Sequence, residues 1–134
     1  MAIQFSTAVR NARLDAFEST TGTTAKLRIL TGSPPANCGT AESGSLLCEL
    51  TLPSDWLDPA SGGTKAKAGT WSGTASGTGT AGYFRIVDNA GTTCHQQGTV
   101  TATGGGGDMT VDNTSIASSQ TVTVTGYTLT DGNA

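Results

Sequence analysis

Apolar and polar positions along this chain alternate mostly with a period of two, and one stretch near the start departs from that rhythm. Between residues 7 and 18, Val9, Ala12, Ala16 and Phe17 fall at helical spacing, with Leu14 flanking them. Ser6 or Thr7 supplies a hydroxyl to cap the free backbone N–H groups of a first turn. Arg10, Asn11, Arg13 and Asp15 make the polar side. A helix this short is marginal alone, so its apolar stripe is expected to pack on a sheet or on another subunit.

After a loop at 20–24 the pattern turns to strands. Lys26 to Leu30 places Leu27 and Ile29 on one face, and Pro34-Pro35 ends the ladder because proline donates no hydrogen bond. Leu46 to Leu52 reads as a core strand, with Leu46, Cys48, Leu50 and Leu52 inward. A long loop follows from Pro53 to Gly63, with a single helical turn expected before Pro59. Lys65 to Ser72 reads as an outer strand and Gly73 to Gly79 as a turn. Tyr83 to Val87 shares Phe84 and Ile86 on one face, and Asp88-Asn89-Ala90-Gly91 signals a hairpin. The partner strand, Thr93 to Thr103, carries Cys94, Gln96, Gly98, Val100 and Ala102 on one parity. Gly104 to Gly107 reads as a turn, Met109 to Asp112 as a short strand, and Thr121 to Thr130 as the last strand. In that last strand Val122 and Val124 have one parity, Tyr127 and Leu129 the other. A bulge at Gly126 would bring all four to one face.

These seven or so strands predict a mainly β fold: an antiparallel β-sandwich or jelly roll with one N-terminal α-helix. A single domain is expected over 1–134, with an arm and helix in 1–20 and the sandwich in 24–130. No repeat of solenoid or propeller length is visible.

Composition sharpens this picture. Only 13% of residues are charged, about half the usual share of ~25%. Low charge weakens repulsion between copies and favours association. The seven basic residues are scattered and the net charge is −3, so nucleic acid is not an expected partner. Met1 to Phe5 lack the basic-then-apolar order of a secretory leader, and no run is long enough to span a membrane. Synthesis and folding in a cytoplasm are expected, where Cys38, Cys48 and Cys94 default to free thiols. Cys48 reads as a core residue. One bridge, Cys38–Cys94 or Cys38–Cys48, remains open to an oxidising exterior.

Few positions carry potential chemistry. Cys94 and His95 are neighbours on a strand and point to opposite faces unless a bulge intervenes. Asp108, Asp112 and Asn113 lack the ligand spacing of a calcium loop and suit turns instead. The cysteines and His95 lack paired zinc spacing. No enzyme activity, cofactor or metal is therefore expected. Trp56, Trp71, Tyr83 and Tyr127 offer either a sugar-stacking platform or core and interface anchors.

The run Gly104-Gly105-Gly106-Gly107-Asp108-Met109-Thr110-Val111-Asp112-Asn113, leading into Gln120-Thr121-Val122-Thr123-Val124-Thr125, resembles small virion proteins of tailed bacteriophages. Together with the opening helix and Thr-Gly-rich middle, it is similar to the jelly-roll capsid cement, or decoration, proteins. The resemblance implies a structural protein, assembled in the host cytoplasm, that sits on the virion surface and clamps neighbouring major capsid protein subunits. A homodimer or homotrimer is expected. Phe5, Val9, Ala12, Ala16, Phe17, Trp56 and Trp71 are the expected interface residues. The alternative is a head-fibre or tail-associated β module that binds host-surface glycans.

Overall fold

The computed structural model describes residues 3–132. The helix α1 spans Thr7–Thr21. Ser6 is its N-cap, with extended backbone and a hydroxyl that accepts from the Val9 N–H at 3.3 Å. Gly22 ends it at φ +93°, where a side chain would be strained, and its N–H donates to the Glu18 carbonyl.

Nine strands follow among the described residues: β1 (Lys26–Thr31), β2 (Leu46–Thr51), β3 (Thr64–Ala66), β4 (Ser72–Thr74), β5 (Gly79–Val87), β6 (Cys94–Ala102), β7 (Met109–Val111), β8 (Ser115–Ile116) and β9 (Thr121–Thr130). They form one curled mixed sheet in the order β2-β1-β5-β6-β7-β9-β3, with β4 also on β9 and β8 on β5. The fold is thus mainly β with a single N-terminal helix, of the sandwich or jelly-roll-like class. The curl brings the far edge back to the start. Beyond β4, the Ser76 and Gly77 N–H groups donate to the Leu47 carbonyl of β2 at 2.9 and 3.1 Å. Leu27, Ile29, Cys48, Leu50, Phe84, Ile86, Val122 and Val124 fill the enclosed core.

Four local expectations need correction. The sheet is not wholly antiparallel, because β6 and β7 run parallel with Val100 opposite Met109. Parallel neighbours ordinarily need a crossover of about a dozen residues or more. Here residues 103–108 double back over Thr101. A Cβ on Gly105 or Gly107 would meet Thr101 atoms at 2.7 and 2.9 Å. The single outer strand at 65–72 is two short ones, β3 and β4, which pair with opposite ends of β9. No helical turn precedes Pro59; Leu57 instead bridges to Lys67. Finally, Cys94 leaves the face of Gln96 and Gly98. The ladder shifts register there, pairing Ile86 with Gln96 but Val87 with Cys94.

The bulge expected in the last strand is present. Thr110 faces Gly126 while Val111 faces Val124, so Thr125 is the extra residue. Val122, Val124 and Tyr127 are consequently all buried, and Leu129 packs against the core.

Strand β5 is covered on both faces. Phe84 and Ile86 point into the core. Tyr83, Arg85 and Val87 point outward, yet are also buried, because the β1–β2 connection lies over them. The Tyr83 hydroxyl donates to the Ser43 carbonyl at 2.6 Å. Arg85 donates to the carbonyls of Thr40 (2.7 Å) and Asn37 (3.2 Å), and to Gln97 Oε1 at 2.9 Å.

Candidate interaction surface

Helix α1 lays only part of its apolar stripe on the sheet: Phe17 packs there, with Leu14 beside it. Leu14 and Thr21 are buried, and Arg10, Asn11, Phe17 and Glu18 are half-buried. Val9, Ala12 and Ala16 face outward and are exposed. The docking side is largely polar because it serves backbone groups on the sheet edge. Arg10 Nε donates to the Asp131 carbonyl at 2.7 Å. Asn11 Oδ1 accepts from the Gly63 N–H at 2.9 Å, and Asp15 Oδ1 from the Ala60 N–H at 3.1 Å. Lys65 of β3 reaches up between the helix carboxylates, its Nζ 2.6 Å from Asp15 Oδ1 and 3.0 Å from Glu18 Oε2.

Those charges shift one another. The hydrogen bond from Lys65, then the Ala60 N–H, holds the Asp15 carboxyl below its usual range against a small cost of burial. Burial alone would lower the Lys65 pKa, but its bonds to Asp15 and Glu18 outweigh burial and raise it.

The outward side of α1 continues into the arm before it. Ile3, Phe5 and Val9 are the large apolar side chains left exposed among the described residues, at 79%, 43% and 43%. On the helix, Val9 shares its outward side with the exposed Ala12 and Ala16. The Arg13 guanidinium lies 4.9 Å from the Phe5 ring centre, which holds the arm against the helix. Of the expected interface residues, Val9, Ala12 and Ala16 share the outward side of the helix, and Phe5 reaches the helix through Arg13.

Trp56 and Trp71 are not on this surface, and that expectation is corrected. Both are fully buried. Phe17 meets Trp56 edge-on at 5.6 Å, Trp56 meets Trp71 at 5.9 Å, Trp71 meets Tyr127 at 5.1 Å, and Tyr127 meets Phe84 at 6.0 Å. This run of rings ties the helix to the central strand. The indoles satisfy their N–H groups internally, on the Gly22 and Ala68 carbonyls. Phe17 is half-buried against Trp56 and belongs with the helix anchor. Tyr83 and Tyr127 are buried too, so these four rings make no exposed stacking platform.

The remaining candidates for chemistry are engaged in structure. Asp108 Oδ2 accepts from the Thr99 N–H and hydroxyl at 2.9 and 3.0 Å. Asp112 and Asn113 accept from turn N–H groups. A bulge does fall at His95, but the Cys94 thiol turns to Cys38 and the Gln96 carbonyl, not to the imidazole. Burial and the nearby Cys38 push the Cys94 thiol up to about 12, opposite to what activates a nucleophile. An open cleft of about 410 Å³ lies at the foot of α1, lined by Asp15, Glu18, Thr23, Leu57, Pro59 and Lys65. Among the described residues no group of three His, Cys, Asp or Glu side chains is placed to hold a metal, and no helix is long and apolar enough to cross a membrane. Compared with protein-family models, curated proteins and solved structures, the chain matches none.

Two functional-looking features had no readable signal: Lys65 and Arg85 are buried cations on strands that read as ordinary alternation. Of the two cysteine pairings the sequence left open, the structure brings Cys38 to Cys94 and leaves Cys48 in the core.

Proposed function

We propose that this chain is a structural protein of a phage virion that docks on the outside of the capsid and stabilises contacts between major capsid protein subunits. The observation that carries the reading is that Val9, Ala12 and Ala16 stay exposed on a helix held to the sheet by charges. The polar anchor fixes the helix in place without using those three side chains. The low charge of the molecule fits a crowded, repeated lattice, where many identical contacts add together. Assembly in the host cytoplasm as a homodimer or homotrimer follows from the same reading. The glycan-binding alternative has lost its aromatic residues to the core.

The test is a triple variant, Ile3→Ser, Phe5→Ser and Val9→Ser, which leaves the anchor intact. Withdrawing three exposed apolar groups from an interface should weaken docking by about 2–3 kcal/mol, roughly a 50-fold loss of affinity. Occupancy on purified capsids and sedimentation of the free protein are the readouts. Unchanged capsid occupancy by the folded variant would remove the reading.

A further inference from the structure

We propose that Cys38 and Cys94 are a dithiol pair that closes to an intrachain disulfide, stapling the β1–β2 connection onto the outer face of β5 and β6. The claim is independent of any capsid role. The fold separates the three cysteines clearly. Cys48 is sealed in the core opposite Ile29, whereas Cys38 and Cys94 are half-buried with their sulfurs 2.9 Å apart. A disulfide needs S–S of about 2.05 Å, so closure asks for a movement of roughly 0.9 Å.

Both cysteines are held from either side, so little freedom is lost on closure. Cys38 sits between two residues whose carbonyls are gripped by Arg85, Asn37 before it and Thr40 after it. Upstream, Gln97 Nε2 donates to the Pro35 carbonyl at 2.6 Å. Asn37 Oδ1 in turn accepts from the Gly39 N–H at 2.9 Å. Cys94 follows a hairpin turn in which Asp88 Oδ1 accepts from the Thr92 and Thr93 N–H groups at 2.8 and 3.2 Å. The register shift at His95 is what turns Cys94 to the outer face beside Val87, toward Cys38. Without that bulge the two sulfurs would lie on opposite sides of the sheet.

A groove of about 350 Å³, lined by Arg28, Thr40, Glu42, Arg85 and both cysteines, gives a small reagent access. The oxidant class is a low-molecular-weight disulfide such as oxidised glutathione. One protein thiol gives its proton to solvent and attacks a glutathione sulfur, forming a mixed disulfide and releasing one glutathione thiolate, which takes up a proton. The second protein thiol, deprotonated in turn, attacks the protein sulfur of that mixed disulfide and expels the second glutathione. Two protein thiols lose two protons and two electrons; one oxidised glutathione becomes two reduced molecules.

The full chain is reduced, equilibrated with oxidised and reduced glutathione at a series of ratios, quenched in acid, and alkylated in denaturant. Peptide mass spectrometry then counts free thiols. Oxidising ratios should leave only Cys48 alkylated, with Cys38 and Cys94 peptides joined and two hydrogens lighter. Cys38→Ser and Cys94→Ser should each carry one glutathione on the remaining partner instead. Three alkylated cysteines at the most oxidising ratio, a bridge to Cys48, or glutathione on both Cys38 and Cys94 of the parent would each overturn the proposal. A Cys48→Ala chain that still closes the 38–94 bond keeps the result separate from core packing.

Discussion

The polar anchor of α1 makes a prediction in which removing a cation should do less harm than removing its partners. Lys65 is 3% exposed, while the side chains of Asp15 and Glu18 are 52% and 22% exposed. Replacing both acids by Ala leaves an ammonium among groups that cannot rehydrate it. A charge-assisted bond such as Glu18–Lys65 contributes about 1.5–3 kcal/mol. The Asp15 bond is discounted to about 0.5–1 kcal/mol because solvent screens it. Better helix propensity of Ala returns about 0.5 kcal/mol, for a net loss of about 1.5–3.5 kcal/mol. Lys65→Met removes the charge, keeps an apolar stem in place, and lets the exposed Asp15 and half-buried Glu18 carboxylates regain water; it should cost about 1 kcal/mol or less. Urea unfolding followed by tryptophan emission measures both, since Trp56 packs on Phe17 of the helix. If Lys65→Met proves as damaging as the double acid variant, the cation is not the group that burial penalises. Acidity tests the same anchor. The Asp15 pKa is lowered on folding, so its contribution is present above about pH 3.9 and lost as pH falls through the folded value. The Lys65 pKa is raised, so its contribution is complete below about pH 10.4 and lost as pH rises through the folded value. Helix docking should therefore hold across the middle of the pH range and loosen at both ends.

Other outcomes follow from the same geometry. Closing the 38–94 bond restricts a loop of 56 residues in the unfolded chain, so reduction should lower stability by at most about 4 kcal/mol, read as a shift in the urea midpoint with and without reductant. Gly82→Ala would set a Cβ 1.9 Å from the Gly32 carbonyl oxygen; with backbone on both sides, a loss of about 3 kcal/mol is expected in thermal unfolding. Gly104→Ala meets no neighbour but has φ +84°, so about 1–2 kcal/mol of conformational strain is expected in the same assay. The Ile3, Phe5 and Val9 serine variant should leave the unfolding midpoint within about 0.5 kcal/mol of the parent, because those side chains are exposed.

The strand regions were legible because period-two alternation survives wherever one face is buried. Leu27, Ile29, Cys48 and Leu50 read correctly from it, and the parity switch at Gly126 revealed a bulge before any coordinates. What alternation could not convey was coverage of an outer face. Tyr83, Arg85 and Val87 have the parity of solvent positions in β5, yet a connection containing Pro34 and Pro35 lies across them. Sequence distance hides such a lid, since nothing local marks Asn37 or Ser43 as partners of a strand 40 to 48 residues away. The parallel β6–β7 pair was hidden similarly. Four consecutive glycines signal a reversal, but not whether the returning strand passes alongside or beyond its predecessor.

The helix was found, and of its apolar stripe only Phe17 packs on the sheet, for a reason that bears on function. Apolar spacing identifies the buried side only when burial is driven by apolar contact. Here the dock is built from Arg10, Asn11, Asp15 and Glu18 on backbone groups and on Lys65, with Leu14 and Phe17 as its main apolar contacts. Val9, Ala12 and Ala16 then meet water, as does Ile3 in the arm. A sequence shaped by the stability of this chain alone gains nothing from that exchange, since exposed Val and Ile forgo burial of about 1.5–3 kcal/mol each. The polar dock and the outward apolar residues make sense together if Val9, Ala12 and Ala16 are covered in the proposed assembly. The polar anchor then fixes the helix orientation, and the apolar residues supply the contact energy to the neighbour.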